Sequence, residues 1–182
     1  MYSFISRSGT TVTFRLATTT DVENNLALIN ALSLEDTFIT FSGEQQTLAE
    51  ETAYYDKYLK THAAGDSVKV VAYVGQELVG TADIERSFYG KKRTRHVGRL
   101  GIGLAAKWRG QGIGEELITR ALKLAQSHIT DLRKIVLTAY GANTRAIALY
   151  KKLGFTEYGR VPGVILYKGE YMDEVIMSKS LV

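Results

Sequence analysis

Residues 96–128 set the strongest constraint on what this chain can fold into. The stretch from His96 to Ala105, HVGRLGIGLA, reads as a strand but carries glycines at 98, 101 and 103. Glycines inside a strand mark a bulge or the close approach of another backbone. Trp108-Arg109-Gly110-Gln111-Gly112-Ile113-Gly114 follows, and from there Ile113, Leu117, Ile118, Ala121, Leu122, Leu124 and Ala125 form the apolar side of a helix reaching His128. The alternating glycines at 110, 112 and 114 let backbone amides crowd toward one point without side-chain clash. The helix that begins there adds its own unbonded N–H groups and the positive end of its dipole, and Arg109 sets a cation beside them. The ensemble suits a pyrophosphate, although a tight strand-to-helix turn without a ligand fits the same residues. The competing phosphate motifs fail, since GxxxxGK[ST] is absent and the spacing is G-x-G-x-G, not the G-x-G-x-x-G of dinucleotide folds.

The rest of the chain supplies a sheet for that helix to pack on. Thr11–Leu16 and the β-branched run Val68–Val74 read as strands, and Gly75-Gln76 turns the second into an antiparallel partner, Leu78–Ile84. After a threonine run that caps it, Asp21 begins a helix through Val22, Leu26, Ile29 and Leu32, and Leu48–Leu59 makes a second helix with Glu50 and Glu51 in its first turn. Tyr89-Gly90 reads as a hairpin turn before the basic run Lys91-Lys92-Arg93. Lys134–Tyr140 is a strand, Asn143–Leu153 a helix ended by Gly154, Phe155–Val161 a strand, and Ile165–Met177 a hairpin about Lys168-Gly169. This order predicts an α/β chain, a mixed sheet with helices on both faces, forming a single domain over residues 1–182. At 182 residues the length is close to one domain of about 150 residues.

Composition removes several chemistries. There are no cysteines, which excludes disulfide scaffolds, thiolate metal sites and cysteine nucleophiles. His62, His96 and His128 share no metal-ligand spacing, so no metal is expected. No apolar stretch is long enough to span a bilayer, and MYSFISRSGT lacks the apolar centre of a signal peptide. A cytoplasmic protein without membrane or nucleic-acid partners is therefore the expectation. Charge is distributed unevenly: Ala17–Lys60 holds eight acids and two bases, a net of −6, whereas Arg86–Lys123 holds ten bases and two acids, a net of +8. One part of the molecule should attract cations and another anions.

Arg109-x-x-Gly112-x-Gly114, after the strand LGIGLAAKW, resembles motif A of the GNAT superfamily of N-acetyltransferases. Asn143-Thr-Arg-Ala-Ile-Ala-Leu-Tyr150-Lys-Lys-Leu-Gly-Phe155, about 30 residues further on, resembles the family's motif B. The closing run Gly169–Met177 is similar to members that acetylate amino acids, polyamines or protein N-termini. The resemblance implies a GNAT-like fold, a mostly antiparallel central sheet splayed between its fourth and fifth strands. It implies transfer of acetyl from acetyl-CoA, as cosubstrate, to a primary amine by direct attack in a ternary complex. By the same resemblance, backbone groups of Ile102, Gly103 and Leu104 bond the pantetheine arm, and the stretch Arg109, Gly110, Gln111, Gly112, Ile113 and Gly114 holds the diphosphate. Asn143 and Tyr150 contact the arm. One departure is that Ala106 stands where many members have proline.

Asn143 and Tyr150 are seven residues apart, so they lie within roughly 20° of one helix face. Taken as residues alone, Asn143 is a helix cap and Tyr150 a core aromatic. The resemblance adds general-acid duty for Tyr150, a phenol that protonates the leaving thiolate. For the proton on the attacking amine the sequence offers Glu35, Asp83, Glu85, His96 and Asp173, with Arg99 at the strand position where a carboxylate is first sought. Glu35, ending the first helix on the acceptor side, is the preferred base. Because that side coincides with the −6 segment, a cationic small-molecule or peptide amine is expected, with Phe38, Phe41, Tyr54, Tyr55 and Tyr58 available to line its pocket. A homodimer is left open. The alternative function is a CoA-binding sensor or scaffold without catalysis.

Overall fold

The computed structural model describes residues 1–86 and 91–181, so the turn expected at Tyr89-Gly90 lies outside the described residues. The elements are β1 (Tyr2–Ile5), β2 (Thr11–Leu16), α1 (Val22–Leu34), α2 (Leu48–Ala63), β3 (Ser67–Val74), β4 (Glu77–Arg86), β5 (Val97–Leu104), α3 (Ile113–His128), β6 (Lys134–Tyr140), α4 (Thr144–Lys152), β7 (Thr156–Tyr167) and β8 (Glu170–Ser180). The strands follow the order β1-β2-β3-β4-β5-β6-β8-β7 in one sheet. The β5–β6 pair is parallel, and the β1–β2, β2–β3, β3–β4, β6–β8 and β7–β8 pairs are antiparallel. Contacts gather the chain into two compact units, residues 1–85 with 101–130, and residues 86–100 with 131–182. No helix among the described residues is long and apolar enough to cross a membrane.

In the first unit, β3 is buried along most of its length, as expected of a strand covered on both faces. Val71 packs with Leu28 and Leu32 of α1 and with Tyr55 and Tyr58 of α2. The alternate positions of β3 turn the other way, and α3 packs against this strand as well. Ile113, Leu117, Ile118, Ala121 and Ala125 of α3 are fully buried, each larger side chain contributing about 1.5–3 kcal/mol on transfer from water. The start of α2 is fixed by a reciprocal cap: the Thr47 N–H donates to Glu50 Oε2 at 2.8 Å and the Glu50 N–H donates to Thr47 Oγ1 at 3.3 Å. Asp21 does not open α1 but sits just before it. Its carboxylate accepts from Arg15 Nη1 at 2.7 Å, Tyr73 Oη at 2.6 Å and the Thr18 N–H at 2.7 Å.

The second unit is built on β6 and β8. Leu137 faces Met177 and Ala139 faces Val175 across the ladder, and all four are buried. Buried Phe155 meets the ring of Tyr150 edge-on at 6.1 Å. The β5–β6 ladder consists of Val97↔Lys134, Gly98↔Ile135 and Arg99↔Val136. Among the described residues the ladder ends at Arg99↔Val136, between the strands that the sequence reading counts as fourth and fifth. β7 runs past the expected end at Val161, through Pro162 and Gly163, with the register shifting between Val161 and Ile165. An edge strand tolerates a proline there because no neighbour needs its N–H.

Candidate functional site

The glycine turn is built as the spacing requires. Gly110 and Gly112 have φ of +81° and +87°, a backbone region closed to most side chains. Among the described residues, the N–H groups of Gly110, Gln111 and Gly112 donate to no protein acceptor. They lead directly into the unbonded first turn of α3, whose N-cap is Gly112. The carbonyls of the same loop are occupied. Gly110 O accepts from Arg7 Nη1 at 3.3 Å and Gln111 O from the Arg7 N–H at 3.1 Å. Ser8 Oγ donates to Gln111 Oε1 at 2.6 Å, Gln111 Nε2 donates to Lys107 O at 3.0 Å, and the Phe4 ring lies 3.2 Å from where a Gly112 Cβ would be. A strap from the β1–β2 hairpin therefore holds the carbonyls, leaving a row of free donors that suits an anion. Sequence reading missed this strap. The alternation of Tyr2 and Phe4 before the Ser8-Gly9 turn was the available signal.

The end of β5 is anchored beside this loop. The Ala105 N–H donates to Val79 O at 2.9 Å, and a Cβ on Gly80 would lie 2.9 Å from Gly103 O and 2.8 Å from Leu104 Cδ1. Ile102, Gly103 and Leu104 thus occupy the strand stretch that runs into the cradle, with no ladder partner on β6 among the described residues.

Two residues expected in different roles meet each other. Arg109 Nη1 and Nη2 bond Glu35 Oε1 and Oε2, the second at 2.8 Å, while Arg109 Nε donates to Leu104 O at 3.0 Å. Both oxygens of the expected base are thereby engaged by Arg109.

A different carboxylate reaches the β5 strand. Asp83 on β4 places its oxygens 3.2 and 3.3 Å from where a Gly101 Cβ would be, so the glycine leaves it room. Lys69 Nζ, almost fully buried, stands 3.8 Å from Asp83 and donates to Tyr54 Oη at 3.2 Å. Asp83 also lines a recess of about 30 Å³ with Glu85, Tyr54, Tyr58, Lys57 and Thr61. Tyr58 is only 6% exposed, and its hydroxyl lies against the backbone of Lys69. Of the other expected bases, Asp173 accepts from Arg160 Nη1 and the Gly163 N–H, both at 3.2 Å, and braces the β7–β8 hairpin. His96 lines a separate recess with Lys92, Arg95 and Asp131.

In the second unit, Asn143 caps α4, its Oδ1 accepting from the Ala146 N–H at 3.2 Å. Tyr150 is 7% exposed, and among the described residues its hydroxyl makes no hydrogen bond. Burial pushes its phenol up to about 12, so it is protonated throughout the neutral range. Among the described residues no group of acidic or histidine side chains is placed to hold a metal ion.

A family model described as "Acetyltransferase (GNAT) family" matches residues 31–155. The chain is 28% identical to the L-amino acid N-acetyltransferase AaaT of Escherichia coli over 113 residues, 61% of this chain and 67% of that protein. A solved GNAT-family acetyltransferase from Streptococcus pneumoniae superposes with a TM-score of 0.84 at 26% identity, covering 94% of this chain and 99% of that one. A GNAT phosphinothricin acetyltransferase from Sinorhizobium meliloti, solved in complex with acetyl-CoA, superposes with a TM-score of 0.81 at 22% identity, covering 93% and 88%.

Proposed function

Because the chain belongs to the acetyltransferase (GNAT) family, we propose that residues 1–182 act as one acetyl-CoA-dependent N-acetyltransferase domain whose acceptor is a cationic primary amine. The observation that carries this reading is the row of unpaired amides at Gly110, Gln111 and Gly112, held between left-handed glycines at the start of α3. Those donors and the helix dipole suit a diphosphate. Ile102 and Leu104, beyond the end of the β6 ladder, offer backbone groups to a pantetheine arm as a neighbouring strand would. Asn143, whose Oδ1 caps α4, keeps its amide nitrogen for the same arm.

Acetyl-CoA supplies an activated thioester carbonyl. A backbone N–H of the 102–104 stretch donates to the carbonyl oxygen as negative charge builds there. Asp83 takes the proton that the amine loses as its nitrogen bonds to the carbonyl carbon. Tyr150 donates to the departing sulfur as the C–S bond breaks. With its phenol near 12 against about 8.5 for a thiol, Tyr150 acts chiefly as a hydrogen-bond donor to a thiolate that finally takes its proton from water. Glu35 is left out of the proton path because both its oxygens hold Arg109.

In the −6 segment, buried Asp21 and Glu51 are held by Arg15 and Asn25, while Glu35 and Glu50 hold Arg109 and the α2 cap at the surface. Asp83 and Glu85 support the same inference better, being carboxylates at one recess, with Asp83 also beside Gly101 of β5. Thiol release from acetyl-CoA over a panel of amines tests the function, with calorimetry of acetyl-CoA alongside. The expected result is binding, and turnover that favours cationic amines. Binding without turnover on any amine would instead mark a CoA sensor.

A further inference from the structure

We propose that Arg7, on the turn between β1 and β2, is a positioning residue for acetyl-CoA that fixes which way two peptides of the glycine turn face. It thereby aims their N–H groups at the diphosphate, a role that deepens the acetyltransferase reading and rests on it. The Arg7 N–H donates to Gln111 O at 3.1 Å, and Arg7 Nη1 donates to Gly110 O at 3.3 Å. Gly110 O shares its peptide group with the Gln111 N–H, and Gln111 O shares its own with the Gly112 N–H. No peptide bond among the described residues is cis, and in a trans peptide the carbonyl and the N–H point in opposite directions. Each bond from Arg7 therefore turns one free amide away from Arg7, toward the open side of the turn.

The glycines make this clamp necessary. Gly110 and Gly112 carry φ of +81° and +87°, and a residue without a Cβ adopts several backbone states at little cost. A flip of the Gly110–Gln111 peptide would exchange its N–H for a carbonyl oxygen, which would meet the phosphates with the wrong sign. The glycines permit the cradle but leave the sense of its peptides open, and the two donors of Arg7 select one. A cation on the carbonyl side also polarises the peptide, which makes the Gln111 N–H a stronger donor.

The turn that carries Arg7 is itself held. The Ser6 N–H donates to Thr10 O and the Gly9 N–H to Ser6 O, both at 2.9 Å, and the Thr10 N–H donates to the Oγ of buried Ser6 at 3.1 Å. Phe4 meets the ring of buried Phe14 edge-on at 6.3 Å, and a Cβ on Gly112 would lie 3.2 Å from its ring. Ser8 Oγ donates to Gln111 Oε1 at 2.6 Å and tethers that side chain to the same turn. Arg109, the cation supplied by the glycine turn itself, is occupied with Glu35 and Leu104 O. Arg7 is the exposed cation that bonds the turn's own carbonyls.

The test uses three ligands on the whole chain: acetyl-CoA, S-acetylpantetheine, which lacks the diphosphate, and inorganic pyrophosphate, which is little else. Arg7→Met, which keeps an unbranched stem but no donor, should raise the acetyl-CoA Kd about tenfold, or about 1.4 kcal/mol, with no fall in kcat at saturation. The pyrophosphate Kd should rise in the same proportion, while kcat/KM with S-acetylpantetheine stays at the wild-type value. Arg7→Lys, which keeps a cationic donor for Gly110 O, should recover part of the loss. In the free protein the Gln111 and Gly112 amide resonances should shift or broaden in Arg7→Met. The loss should persist from about 0.05 to about 0.5 M salt, a range over which a bare charge becomes screened. An equal loss with S-acetylpantetheine would make Arg7 a general support of the fold, and a loss that vanishes at high salt would make it a distant charge. Either result overturns the assignment, as does unchanged acetyl-CoA affinity. A wild-type protein that binds pyrophosphate but not acetyl-CoA would sink the acetyltransferase reading, and the pyrophosphate and amide measurements would still decide the clamp.

Discussion

Arg109 commits all three guanidinium nitrogens to the protein itself, Nε to Leu104 O and the other two to Glu35. Glu35 stands at the C-terminal end of α1, where the helix dipole disfavours a negative charge, so Arg109 is what makes a glutamate tolerable there. A planar, two-point pair fixes orientation as well as charge, and through Leu104 it fixes the strand end that leads into the amide cradle. Arg109 thus braces the strand end beside the glycine turn through Leu104. Glu35→Gln should weaken acetyl-CoA binding about fivefold, roughly 1 kcal/mol for a partly exposed pair, and leave the acceptor KM unchanged. A gain in affinity would instead mean that Glu35 competes with the diphosphate for Arg109. Tyr150→Phe should lower kcat by about 10²-fold with acetyl-CoA affinity and melting temperature nearly unchanged, since among the described residues the hydroxyl bonds nothing. A large loss of melting temperature would assign Tyr150 to packing alone.

The cradle works because elements on either side of it leave no slack. β4 approaches the end of β5 so closely at Gly80 that a methyl group would press on Gly103 O, a backbone atom, and on Leu104 and Leu117 side chains. Gly80→Ala should therefore cost about 1–3 kcal/mol of stability in urea melts and also reduce acetyl-CoA affinity, because Gly103 and Leu104 must move. Unchanged affinity would show that this strand end does not set the cradle. Local order was legible in the sequence wherever one short-range signal decided it: α3 keeps the bounds that its apolar spacing drew, and β6 keeps the bounds Lys134–Tyr140. What escaped depends on partners far along the chain. Nothing near Glu35 announces Arg109, 74 residues away, and nothing near Arg7 announces the Gly110 carbonyl. β1 was missed because its Tyr2–Phe4 alternation repeats only once in four residues, and Pro162 hid the length of β7 because only the sheet order makes it an edge. Of the candidate site, the glycine turn could be read as a motif, whereas the Asp83–Glu85 recess exists only once β4 lies beside α2.

For the whole molecule, buried titratable groups set the pH range of stability. Asp21 is fully buried. Burial alone would raise its carboxyl, but the bonds from Arg15, Tyr73 and the Thr18 N–H outweigh this and hold it below its usual value. A carboxyl lowered on folding adds stability that is present above its unfolded value, about 3.9, and is lost as pH falls through the lower folded one. The phenols behave in the opposite sense. Burial raises Tyr55, Tyr58 and Tyr73 above 10, and raises Tyr150 to about 12. A phenol raised on folding adds stability that is complete below about 10 and is lost as pH climbs through the folded value. Burial raises the Glu51 carboxyl, so its stabilisation is complete below its unfolded value and lost as pH climbs through the folded one. Urea midpoints should thus fall steeply above about pH 10, and fall on the acid side below about pH 4 less steeply than Asp21 alone would give. Arg15→Met tests the acidic limb. It leaves a buried carboxylate with only Tyr73 and Thr18 as donors, which should cost about 2–4 kcal/mol at pH 7, toward the low end for a broken buried pair. Without Arg15, burial prevails and the Asp21 carboxyl rises, so the variant should recover part of its deficit as pH drops toward 4, where protonation relieves the unpaired charge. A constant deficit from pH 7 to pH 4 would mean that Arg15 contributes packing against Tyr73 and not the charge that keeps Asp21 ionised.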